Sequence, residues 1–143
     1  MKVSYTKESI SEELALKMIE AAVNKAKEIG KPFVIAIVDE SGVLKGFLRM
    51  DGAPLLSVQV AIDKAYTAVG FGMPTHMWYD FIKNDPPLAM GATTGINRLI
   101  IFGGGYPIVI NGKIVGGIGV SGGHYTEDMK VAEAALKVIE ELK

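Results

Sequence analysis

The 143 residues hold 49% hydrophobic and 22% charged side chains, a balance that supports one buried core and excludes a disordered chain. Fifteen basic residues stand against sixteen acidic ones, without a block of like charge, which disfavours nucleic acid and an anionic membrane as partners. No cysteine is present, so disulfides, thiolate metal sites and cysteine nucleophiles are excluded.

Met1 to Glu8 contain no apolar leader, and glycine or charge breaks every apolar run short of the ~18 residues a membrane span needs, so a cytoplasmic protein is expected. From Ser9 or Ser11 to Ile29, Leu14, Met18, Ala22, Ala26 and Ile29 draw one stripe at helical spacing. Ser9 with Glu12 predicts a capping box at its start, and Gly30 a left-handed stop. Phe33 to Asp39 and Val43 to Arg49 then read as a hairpin around Glu40-Ser41-Gly42. The first of these strands is apolar at nearly every position, which predicts a place inside the sheet with helices over both faces.

Asp51-Gly52-Ala53-Pro54 ends the hairpin, and a second helix over Ser57 to Val69 sets Ala61, Ile62, Ala65, Ala68 and Val69 on a small-residue face. Between Gly70 and Gly95 the prolines predict irregular chain around a short helix at His76 to Ile82. Leu99 to Phe102, Tyr106 to Ile110 and Lys113 to Val120 read as three strands of a meander, joined through Gly103-Gly104-Gly105 and the hairpin turn Asn111-Gly112. A last helix begins at a Thr126 cap and buries Val131, Ala135, Val138 and Ile139. The expected fold over residues 1–143 is therefore a single α/β (α+β) domain: one five-stranded antiparallel sheet, profilin-like, flanked by helices on both faces, with the first strand paired to the last.

Several segments together resemble the GlcG/HbpS family: Pro32 to Asp39, Phe47-Leu48-Arg49-Met50-Asp51-Gly52-Ala53-Pro54, Ser57, Ala61, Lys64-Ala65, Thr67-Ala68, Phe102 to Ile108, Asn111-Gly112, Val115 to Gly122 and Asp128. The resemblance covers nearly the whole chain. It implies a homo-oligomeric small-molecule-binding domain, with haem as a candidate cofactor, since the family includes haem-binding or haem-degrading proteins and the carboxy-terminal domain of PduO-type adenosyltransferases. In the PduO-type domain the resemblance points to a histidine near the amino terminus as iron ligand, and this sequence has no histidine there.

Among the residues, Arg49 and Asp51 bracket a strand end where a guanidinium can clamp a carboxylate. Lys64 and Thr67, one turn apart, are candidates to complete a polar rim with them. Ser121, Gly122 and His124 lead into the last helix, whose free N–H groups favour an anion. His76, among Met73, Met77, Trp78 and Tyr79, is the candidate ligand for a haem iron. Trp78, Tyr79 and Phe81 are candidates for a subunit contact. Gly117-Ile118-Gly119-Val120-Ser121-Gly122 spells a dinucleotide-binding pattern, but no further strand follows in which an acidic ribose partner can lie, so thinning of the strand for a helix, subunit or ligand is the expected role. No nucleophile and base, and no pair of carboxylates, stand at a spacing that identifies a reaction; Asp39, Asp51, Asp63 and Asp128 are the acidic candidates. The reading is a ligand-binding module. Its alternatives are an enzyme acting on haem or a small carboxylic acid, and a structural or accessory oligomeric subunit.

Overall fold

The computed structural model describes residues 1–142, so Lys143, the end of the expected domain, lies outside the described residues. Helix α1 spans Glu12–Ile29, starting from Ser11 rather than Ser9: the Ser11 hydroxyl accepts from the Leu14 N–H at 3.1 Å, and Gly30 ends the helix at φ +84°. Strands β1 (Val34–Asp39) and β2 (Leu44–Arg49) form the expected hairpin. Helix α2 runs over Leu56–Phe71 and α5 over Tyr125–Glu141. Strands β3 (Gly105–Ile110) and β4 (Lys113–Ser121) meet at Asn111-Gly112, where φ values of +52° and +77° give the doubly left-handed turn that antiparallel twist favours.

The sheet has four strands in the order β2-β1-β4-β3, all antiparallel, and the expected pairing of first strand with last is present. The fifth strand expected at Leu99 to Phe102 does not form. Its backbone is engaged by a side chain of α2 instead: the Thr67 hydroxyl donates to the Arg98 carbonyl and accepts from the Ile100 N–H, both at 3.0 Å. The segment just before it also differs from expectation. Residues Pro86–Gly95 form helix α4, which follows the short helix α3 (Trp78–Ile82). Pro86 and Pro87 lie in its first turn, where no N–H is required, and the Asp85 carboxylate caps Leu88 N, so the prolines that suggested irregular chain start a helix.

Alternation along β1 divides the core. Ile35 and Ile37 pack with Met18, Ala22, Val131 and Ala135 of α1 and α5, while Val34 and Ala36 face Ala61 of α2. On the α2 side the contact is unusually close. A Cβ on Gly119 would overlap the Ala61 carbonyl oxygen, and one on Gly117 would come within 2.6 Å of the Ala65 carbonyl oxygen. The glycines of β4 are therefore filled by the main chain of α2. Trp78 is only 3% exposed, which places it inside the fold rather than at a subunit contact; Tyr79 and Phe81 are exposed. No helix among the described residues is long and apolar enough to cross a membrane.

Two glycine substitutions separate these roles. Gly119→Ala forces α2 off the sheet and is expected to cost at least about 3 kcal/mol or to prevent folding. Gly91→Ala, in α4 with open space around it, is expected to gain about 0.5–1 kcal/mol. Urea unfolding of both variants checks the pair.

Candidate functional site

Lys64 is fully buried, although a lysine is almost never so without a partner. Its ammonium donates to Asp128 Oδ2 at 2.9 Å and to the Val120 carbonyl at 2.8 Å. The second carboxylate oxygen, Oδ1, accepts from the Gly123 N–H at 3.1 Å. Three elements, α2, β4 and α5, are thus tied at one point beneath the glycine loop 103–105. A Cβ on Gly104 would lie 2.7 Å from Lys64 Nζ, and φ there is +123°, so glycine is required on both counts. Burial holds the Lys64 ammonium below the usual lysine range against the pull of Asp128, and burial raises Asp128 against the pull of Lys64.

Beside this pair lies a cavity of about 420 Å³ lined by His76, Tyr79, Asp80, Ile101, Phe102, Gly103 and Tyr125, within the size range of small-molecule sites. The His76 ring packs 5.6 Å from that of Tyr106, and its Nδ1 is buried without a hydrogen-bond partner. Phe102 forms part of the wall, and its ring centroid is 5.1 Å from Lys64 Nζ. A second cavity of about 320 Å³ is lined by Tyr66, Phe71, Trp78, Ile96 and Leu99 among others, and the buried Trp78 Nε1 also lacks a partner.

The residues singled out in the sequence fall into separate places. Arg49 donates from Nε at 3.0 Å and from Nη2 at 2.7 Å to the Ala53 carbonyl, closing the turn that Asp51, itself exposed, begins. Arg49 and Ser121 flank Val34 on either side across the sheet. The space on that face is taken by Val34, Ala36, Ala53 and Ala61, with Val58 and Ile62 packed against them. Thr67 holds the segment before the cavity, as described. Gly122 runs against the start of β1, where a Cβ would meet the Pro32 carbonyl oxygen at 2.8 Å. His124, rather than Thr126, caps α5: its Nδ1 accepts from the Thr126 N–H at 3.3 Å, and Glu127 accepts from the His124 N–H at 3.1 Å. With Gly123 N–H on Asp128, several of the donors expected to receive an anion at this helix end are taken by the chain itself. The His124 ring still bears on the cavity indirectly, lying 4.4 Å from that of Tyr125.

Of the residues singled out in the sequence, His76 lines the cavity, whereas Lys64 lies buried in an ion pair with Asp128 rather than on a polar rim with Arg49 and Thr67; the Phe102 and Tyr125 walls were not among them. Nor was Arg98, which stacks 3.8 Å over Tyr66 and pairs with Asp63 at 2.8 Å. Arg98 has φ +67°, a conformation that no local signal announces. The described residues contain no cluster of three or more histidine and acidic side chains able to hold a metal ion.

A sheet of this order, with glycine-thinned β4 under α2 and an aromatic cavity at the edge of the ion pair, defines a small α+β domain with a candidate ligand cavity. The chain belongs to the family of haem-degrading HbpS-like proteins, whose family model matches residues 10–137. An uncharacterised 15.0 kDa protein from the dhaT-dhaS intergenic region of Citrobacter freundii is 40% identical over 128 residues, which cover 90% of each chain. The crystal structure of the Klebsiella pneumoniae protein ORFY superposes with a TM-score of 0.93 at 32% identity, covering 100% of this chain and 99% of that one. The crystal structure of a PduOC complex with haem superposes with a TM-score of 0.84 at 32% identity, covering 92% of this chain and 95% of that one.

The directions of the two pKa shifts give a signed expectation. Asp128, raised, contributes stability in acid that is lost as pH rises through its folded value; Lys64, lowered, contributes stability in base that is lost as pH falls through its folded value. Lys64→Met alone, which strands a buried carboxylate, is expected to cost about 3–5 kcal/mol, whereas Lys64→Met combined with Asp128→Leu recovers most of that loss. A double-mutant cycle by urea unfolding at neutral pH measures both.

Proposed function

We propose that this chain binds a flat, largely apolar small molecule bearing carboxylates, with haem as the leading candidate, in the cavity between His76 and Tyr125. The observation that carries the reading is the lining itself: aromatic and aliphatic walls from Tyr79, Ile101, Phe102 and Tyr125 around one imidazole. Such walls match the apolar face of a tetrapyrrole, and histidine and tyrosine are both side chains that hold haem iron. The haem complex of PduOC, 32% identical to this chain, supports the choice of ligand.

The residues present fit the group. His76 is the imidazole candidate for the iron, its ring braced by Tyr106; Tyr79 and Tyr125 add phenol oxygens, and His124 backs Tyr125. Haem, when bound, would supply an iron with an exchangeable coordination position. The chain's own contribution is to orient the ring between aromatic walls and to exclude water from one of its faces. On this reading Thr67 holds the segment that precedes the site, while Arg49 and Asp51 belong to a separate turn.

A second reading, self-association, is favoured by one specific feature. The edge strand β2 and the start of α2 expose Leu44, Phe47, Leu48, Leu55 and Leu56, the last at 83%, which together suit a homo-oligomer contact.

Titration of the purified chain with haemin is expected to give a saturable Soret shift. His76→Ala is expected to weaken binding about tenfold or more, and His124→Ala by less than about threefold. Equal, weak spectra from the wild type and from His76→Ala would contradict the assignment of this cavity. Light scattering of the intact chain and of Leu56→Lys tests the second reading, which predicts a smaller mass for the variant.

A further inference from the structure

The cavity has no lysine or arginine among its lining residues, and its rim carries Asp80, a charge of the same sign as a carboxylate ligand. The positive charge that such a ligand needs lies behind the wall. Lys64 has three N–H donors, of which one goes to Asp128 and one to Val120. The Phe102 ring also stands by the ammonium, its centroid 5.1 Å away, an interaction weaker than a charge-assisted hydrogen bond.

Phe102 is itself 46% exposed, so turning its ring sacrifices little buried apolar surface. The chain on either side is pinned, at Ile100 by Thr67 and at Gly105 by the Thr75 hydroxyl, which accepts from the Gly105 N–H at 2.9 Å. Motion at Phe102 is therefore a side-chain rotation rather than the opening of a loop. Gly103 and Gly104 add no side chain over the ammonium, although their main chain lies close to it: a Cβ at Gly104 would press on Nζ itself.

We propose that Phe102 is a swinging cover and Lys64 the anion-recognising floor of this site, so that the carboxylate of the bound molecule replaces the Phe102 ring as the third partner of the Lys64 ammonium. This rests on the small-molecule reading of the cavity given above and adds to it where the carboxylate goes and what must move.

Brief acetylation of the intact chain with acetic anhydride, followed by peptide mass spectrometry, reads whether Lys64 is reached. In the wild type Lys64 is expected to react at least about tenfold more slowly than exposed Lys130, and Phe102→Ala is expected to speed it about tenfold. Benzoate is expected to slow the Lys64 reaction in Phe102→Ala about fivefold, while neutral benzyl alcohol has no effect. A second measurement leaves the wild-type sequence intact: the side-chain nitrogen resonance of Lys64 in ¹⁵N-lysine-labelled protein shifts with benzoate and not with benzyl alcohol. A Lys64 as slow in Phe102→Ala as in the wild type, or equal effects of the two probes, overturns the proposal. Haem binding that is lost in His76→Ala but leaves Lys64 unprotected sinks this inference alone; protection by benzoate without any haem binding sinks the haem reading alone.

Discussion

Helix α2 lies main chain against main chain on β4, and most of what is distinctive here follows from that contact. A side chain at Gly117 or Gly119 would hold the helix away from the sheet. Without one, α2 descends until Lys64 is carried below the surface, where only Asp128 and the Val120 carbonyl can receive its charge. Burial on this scale penalises both ions, so the pair is retained against its own desolvation. The loop that covers it, with Phe102 at its edge, is also the wall of the larger cavity.

Much of the fold was legible in the residues because local rules agreed with the tertiary result. Asn111-Gly112 gave its turn, the continuous apolar run of β1 gave its central position, and the stripes of α1 and α5 gave their buried faces. The failures have physical causes. Leu99 to Phe102 has strand composition, but its hydrogen bonds go to the Thr67 side chain, a partner distant in sequence. Pro86-Pro87 reads as a breaker unless Asp85 is recognised as the cap that makes those prolines a first turn.

The site was less legible than the fold, although one signal in it was available. Lys64 falls on the same helical face as Ala61, Ala65 and Ala68, and Asp128 on the same face as Val131, Ala132 and Ala135, all buried. A charge inside each of two apolar stripes asks for an opposite charge, and each answers the other. The Arg49 bend and the end of β4 do share one end of the sheet, but Ala53, Ala61 and Val34 fill the space on their common face. The cavity opens instead where β3 is approached by the chain from His76 to Asp80, a juxtaposition that no spacing within either segment encodes.

Whether that cavity receives the ligand is decided most directly by locating the iron. An anomalous difference map at the iron absorption edge, from crystals of the chain grown with haemin, is predicted to show its peak against the His76 ring, between Tyr79 and Tyr125. A peak against the amino-terminal segment, at the exposed β2 edge or in the cavity beside Trp78 would contradict the account.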